Sequence, residues 1–157
     1  MIQLRIISNL EKPAFRQANI DAMVAGFSHY KRANEQDVIP FCENQIDAEI
    51  LHAEQSNFET ILSIIKIETN EVVGSLWYRL HEEAVYADLV FICWIGIYPG
   101  YRLSGYAKAA LQQLAFDLKK QGIQRMALQV FNHHQASMNL YKSCGFKAKR
   151  TIMHKYL

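Results

Sequence analysis

Apolar and polar positions alternate along residues 2–7 with β-branched side chains, which predicts an opening strand. Residues 11–32 have the composition of a helix, with Pro13 acceptable in its first turn. Pro40 is expected to break the chain. After it Ile46, Ile50 and Leu51 recur at helical spacing and predict a second helix over 41–55. Two apolar, β-rich runs follow, 60–68 and 72–80, joined by the short hairpin connection Thr69-Asn70-Glu71. Residues 88–98, DLVFICWIGIY, are almost wholly apolar without alternation, the mark of a central strand covered on both faces. Gly96 gives up packing inside that run, so the backbone there is expected to bulge or to be approached closely.

Beyond Pro99-Gly100 the period changes. Ala107, Leu111, Leu114 and Leu118 predict a helix with Ser104 as its N-cap and Gly122 as its stop. Residues 125–131 predict another strand, 134–143 a short helix closed by Gly145 in the left-handed conformation, and 146–156 a last strand. The order β-α-α-β-β-β-α-β-α-β gives a mixed α/β sheet with helices on its faces, in a single domain spanning 1–157.

With 157 residues, half of them apolar, the chain can bury well over half of its unfolded surface without a disulfide or structural metal. The same composition excludes disordered and collagen-like classes. A net charge of +2 argues against a dedicated nucleic-acid partner, yet it conceals an uneven distribution. Residues 1–98 carry 7 Lys/Arg and 14 Asp/Glu, whereas 99–157 carry 10 Lys/Arg and only Asp117, a segment of −7 followed by one of +9. That asymmetry points to an anionic ligand for the C-terminal part. Cys42, Cys93 and Cys144 are odd in number, widely spaced and without histidines at metal-ligand spacing, as expected of reduced packing residues in a cytoplasmic protein with no metal. The start of the chain lacks a secretory pattern and no uncharged apolar run reaches 18 residues, so neither secretion nor a membrane partner is expected.

The most informative segment is IGIYPGYRLSGYA, residues 95–107, an apolar strand running through a turn into an amphipathic helix. The first N–H groups of a helix have no intrahelical partner and lie at the positive end of its dipole, so donors from Arg102 to Ala107 would converge on a phosphate. A plain strand-turn-helix corner has the same look when one glycine is all that marks it. Neither the dinucleotide-binding nor the P-loop glycine pattern is present.

Arg102-Leu103-Ser104-Gly105-Tyr106-Ala107 resembles the R/Q-x-x-G-x-G/A signature of the GCN5-related N-acetyltransferases, and Ile97-Tyr98-Pro99-Gly100-Tyr101 resembles the approach to it. Leu140-Tyr141-Lys142-Ser143-Cys144-Gly145-Phe146 looks like the family's second signature, L-Y-x-x-x-G-F. The resemblance covers about 72–147, and the N-terminal helices match only in type. Where the family commonly has Asn and Ala before the tyrosine, this chain has His134 and Ser137, with Asn132 two residues before the histidine.

The resemblance implies a GNAT-like fold: a mostly antiparallel sheet, helices on both faces, and a splayed parallel pair formed by 88–98 and 125–131. Acetyl-CoA, the acetyl donor, would lie in the gap with its pyrophosphate on Arg102, Leu103, Ser104, Gly105, Tyr106 and Ala107. Backbone N–H groups around Ile95, Gly96 and Ile97 would polarise the thioester, Asn132 and His134 would meet the pantetheine arm, and Lys108, Lys142 and Lys147 are candidates for the phosphates. Tyr141 stands at the general-acid position, to protonate the departing thiolate as an amine attacks directly. Family members often carry an acid on the central strand, but Ile92, Cys93 and Trp94 are apolar here; Asp88, Glu82 and Glu83 are the remaining candidate bases. The expected acceptor is a small-molecule or peptide amine, with a cationic one suggested by seven acids and no Lys or Arg over 33–65. Members often form homodimers, so a second copy is among the expected partners. A non-catalytic acyl-CoA-binding module of the same fold and a different nucleotide-phosphate binder are the alternatives.

Overall fold

Among the described residues five strands hydrogen-bond in the order of the chain: Ile2–Ile6 (β1), Glu59–Lys66 (β2), Glu71–Leu80 (β3), Leu89–Ile97 (β4) and Arg125–Leu128 (β5). The computed structural model describes residues 1–27, 35–81, 84–131, 133–153, 155 and 157. β1 to β4 pair antiparallel, and β5 joins β4 in parallel after a crossover through a helix. The tight β2–β3 connection is eased by Asn70, whose φ of 57° lies in the left-handed region that asparagine tolerates.

The helices are Lys12–Phe27 (α1), Glu35–Gln55 (α2), Tyr106–Lys120 (α3) and Gln135–Ser143 (α4), with a 3-10 turn at Ala84–Tyr86. On α3, Ala110, Leu111, Leu114 and Leu118 are buried against Leu62, Ile64, Leu76, Val90 and Ile92 of the sheet. Each of those leucines contributes roughly 2 kcal/mol by leaving water. α1 and α2 cover the opposite face, where Phe15 and Ala53 pack with Trp77, and Ile20 packs with Cys42 and Ile46. Among the described residues no helix is long and apolar enough to cross a membrane.

Four sequence expectations are corrected. Pro40 lies inside α2 rather than ending a segment. The lost backbone bond is outweighed by the burial of Cys42 and Ile46 immediately downstream, a tertiary effect that local propensity does not contain. Ser104 does not cap α3: Gly105 holds the N-cap position, and the Ser104 hydroxyl turns back to the Arg102 carbonyl at 3.4 Å. β5 stops at Leu128 instead of continuing to 131, because its ladder with β4 ends there. No strand forms among the described residues of 146–157. An extended segment becomes a strand only by joining a ladder, and this one leaves Ile152 and Met153 in solvent.

Candidate active site

β4 and β5 are in register from Leu89↔Arg125 to Ile92↔Leu128, and there the pairing ends while β4 runs on to Ile97. The closed end of the pair is held by Asp88. Its carboxylate accepts from Arg125 Nε at 2.9 Å and Nη2 at 2.5 Å, and its carbonyl accepts the N–H groups of Gln124 and Arg125. The bidentate guanidinium holds the Asp88 carboxyl below its usual range. Asp88 therefore belongs to the hinge of the splay and is not among the residues lining the cleft beyond it.

On its other edge β4 carries a bulge. Trp94 faces Trp77 and Ile92 faces Tyr78, so Cys93 has no partner on β3. The extra residue puts two consecutive side chains, Cys93 and Trp94, against the cluster under α1 and α2. The bulge thus sits three residues before Gly96, where the sequence pattern had placed it or a close approach. What Gly96 admits is the Trp94 ring: a Cβ at 96 would fall 2.3 Å from Cζ2. The Trp94 indole N–H donates to the buried Ser75 hydroxyl at 3.0 Å, which fixes the ring. Beyond the bulge the Tyr98 N–H donates to the Val73 carbonyl at 2.9 Å. Alternation along an antiparallel ladder then turns the Ile95 and Ile97 N–H groups away from β3, towards the gap left by β5.

That gap is a cleft of about 460 Å³. Its lining includes Ile95, Leu128 and Tyr141, which pack on the α3 side of the sheet, together with Trp77, Cys93 and Trp94, which pack on the α1/α2 side. The cleft therefore passes between the two faces at the point where the sheet opens. Tyr141, on α4, packs edge-on to Phe146 at 5.8 Å, and burial pushes its phenol above the ordinary value. The Cys93 thiol is pushed up to about 11 by burial, so it is protonated at neutral pH. His134 is the N-cap residue of α4, lines the cleft and stands beside the Phe131 ring. Asn132, Glu82 and Glu83 lie outside the described residues.

The turn before α3 has three residues at positive φ: Gly100 at 89°, Leu103 at 63° and Gly105 at 79°. Arg102 ties the turn to the strand, donating from Nε to the Ile97 carbonyl at 3.0 Å. The first intrahelical bond runs from the Ala109 N–H to the Gly105 carbonyl, and no side chain caps the helix. The amides of Tyr106, Ala107 and Lys108 consequently keep no intrahelical acceptor, and alternating left-handed residues form the backbone concavity that suits an anion. A Cβ on Gly105 would meet nothing within 4 Å, so the space beside this glycine is open. Lys108, Lys142 and Lys147 are exposed.

The structure brings Ile95, His134 and Tyr141 to one cleft and leaves the turn at 102–107 at the start of α3. The cleft also contains residues that the sequence reading did not select: Asn19, Glu49, Cys93, Trp94 and Phe131. Glu49 belonged to the recognised acidic run, but its helix register alone does not say which acid meets a cleft. Among the described residues no group of three His, Cys, Asp or Glu is arranged to hold a metal.

Residues 14–146 match the model of the Acetyltransferase (GNAT) family. The uncharacterised N-acetyltransferase YycN of Bacillus subtilis (strain 168) is 36% identical over 93 residues, and the match covers 59% of this chain and 59% of that relative, under two thirds of its length. The [ribosomal protein bS18]-alanine N-acetyltransferase of Haemophilus influenzae is 32% identical over 89 residues, 56% of each chain. The crystal structure of YycN superposes with a TM-score of 0.86 at 24% identity, covering 100% of this chain and 99% of that one. The PaiA N-acetyltransferase of Thermoplasma acidophilum, in complex with coenzyme A, has a TM-score of 0.74 at 15% identity over 97% and 93% of the two chains.

Proposed function

Because the chain belongs to the Acetyltransferase (GNAT) family, we propose that it is an acetyl-CoA-dependent N-acetyltransferase that transfers the acetyl group to a primary amine by direct attack in a ternary complex. The observation that carries this reading is the parting of β4 and β5 beyond Ile92 and Leu128, with the Ile95 N–H turned into a cleft that Tyr141 also lines. Structural neighbours bind coenzyme A or its analogues, which supports the same donor here.

In this reading the pyrophosphate rests on the amides of 102–107 and the pantetheine arm enters the splay. The Ile95 N–H, with no strand opposite it, polarises the acetyl carbonyl and holds the charge that develops on its oxygen. The neutral amine forms the C–N bond as the C–S bond breaks. Tyr141 gives its proton to the departing sulfur and recovers one from solvent, while the new amide nitrogen releases its surplus proton. A phenol that burial keeps protonated suits that task. Asp88, committed to Arg125 at the hinge, has no part in proton transfer.

Incubation with acetyl-CoA and a panel of primary amines, followed through release of free thiol, tests the assignment. Amine-dependent thiol release is expected. Binding of acetyl-CoA without thiol release from any amine would instead leave a non-catalytic CoA-ester-binding module, the reading favoured by the absence of an acid at Ile92, Cys93 and Trp94. The same reading places the enzyme in the cytoplasm.

A further inference from the structure

The cleft through the sheet has one entrance of defined chemistry. On the α3 side of the sheet it is lined by Ile95, Leu128 and Tyr141; on the other side it is walled by α1 and α2, with Trp77 and Trp94 between. Glu49 of α2 lines that second side. Among the described lining residues it is the one carboxylate, and no Lys or Arg shares the wall. It accepts a hydrogen bond from a neutral group, the Gln45 amide, at 2.6 Å.

Arg79 lies near enough to feel the Glu49 charge, but its hydrogen bond goes to another acid. Arg79 donates from Nε to Glu59 Oε1 at 2.9 Å, and the Trp77 indole donates to the second Glu59 oxygen at 2.7 Å. Glu59 is 1% exposed, so it needs that cation and keeps it. Glu49 is half-buried, without a hydrogen-bonded cation, in a cleft that Trp77 and Trp94 also line, and a carboxylate sharing a cleft with aromatic rings is a combination that recognises a cation.

Resting on the acetyltransferase reading above, we infer that Glu49 selects the acceptor: the enzyme takes amines that carry a second positive charge, and Glu49 pairs with that distal charge while the neutral reacting nitrogen reaches the Ile95 end of the cleft. Glu49 and Tyr141 come from helices on opposite faces of the sheet, so an extended acceptor spans the opening with its far end at Glu49. Trp77 and Trp94 line its methylene chain. The class is an aliphatic diamine or polyamine.

The test compares wild type with Glu49→Gln and Glu49→Asp, using a diamine, an aliphatic monoamine of equal length and an alanine-ended peptide as acceptors. Wild type is expected to prefer the diamine over the monoamine by about tenfold or more in kcat/KM. Glu49→Gln is expected to erase most of that preference through the diamine KM, with the KM for acetyl-CoA unchanged as the check on folding. Glu49→Asp is expected to retain part of it. Equal use of diamine and monoamine by wild type, preference for the peptide, or a preference that survives Glu49→Gln would each overturn the inference. If Glu49→Gln does not fold, the wild-type comparison and Glu49→Asp still decide. Failure of wild type to release thiol with any of the three acceptors would overturn the selectivity for diamines; a broader amine panel then tests the enzyme assignment by itself.

Discussion

The Trp94 indole occupies the space that a side chain on Gly96 would need, with Cζ2 and Cε2 falling 2.3 and 2.8 Å from a Cβ built there. Both residues lie on the strand that turns N–H groups into the cleft, so the ring and the opening depend on each other. Gly74, across the ladder, is equally constrained, since its Cβ would lie 2.3 Å from the Gly96 carbonyl oxygen.

Gly96→Ala should therefore destabilise the fold by about 2 kcal/mol, the cost of overpacking a filled site. The displaced indole would also lose its bond to Ser75. Urea unfolding together with tryptophan fluorescence measures both; an unchanged midpoint would mean the ring has room to move.

At the turn that leads into α3, Gly105 combines a φ of 79° with open space where a Cβ would stand. Gly105→Glu strains the backbone by roughly 1 kcal/mol and places bulk and negative charge in the anion cradle. Acetyl-CoA affinity measured by calorimetry should fall below detection, and unchanged affinity would place the phosphates elsewhere.

Tyr141→Phe keeps the packing against Phe146 and removes the proton donor. Turnover should drop by about 100-fold with acetyl-CoA affinity nearly intact. Burial raises the Tyr141 phenol, so its protonated form persists at neutral pH, and the wild-type rate should climb with deprotonation of the amine through that range. A large loss of affinity with unchanged turnover would make Tyr141 a packing residue only.

Glu11 joins the start of α1 to the sheet, accepting from the Ser8 N–H at 2.9 Å and the Ser63 hydroxyl at 2.8 Å, with Arg5 as its ion-pair partner. Burial alone would raise its carboxyl, but these donors outweigh it and hold the group below the usual 4.5. A depressed acid contributes its stability above the unfolded value and loses it as pH falls through the folded one. Glu11→Gln should cost about 2 kcal/mol at pH 7, and the gap from wild type should close below pH 4.5. Unfolding midpoints at pH 7 and pH 3 check this, and a gap independent of pH would assign the loss to shape rather than charge.

What the sequence determined by itself is local. The apolar period of Leu111, Leu114 and Leu118 marks the buried face of α3, since a helix repeats its side chains every 3.6 residues wherever it packs. Gly122 and Gly145 take the left-handed conformations that end α3 and α4, and the residues of the anion turn are contiguous in the chain. Its charge halves likewise separate the turn from the acidic helix that carries Glu49.

Tertiary structure decided what depends on a neighbour. Pro40 is absorbed into a helix because Cys42 and Ile46 are buried beyond it, and 146–157 forms no strand among its described residues because no ladder receives it. Of the two expectations for Gly96, the close approach holds, by the Trp94 ring, while the bulge falls at Cys93, because register is a property of two strands and cannot be set by one. For the same reason, neither Glu49 nor Tyr141 announces the other along the chain; they share a cleft only because β4 and β5 separate after four paired residues and open a passage between the two faces of the sheet.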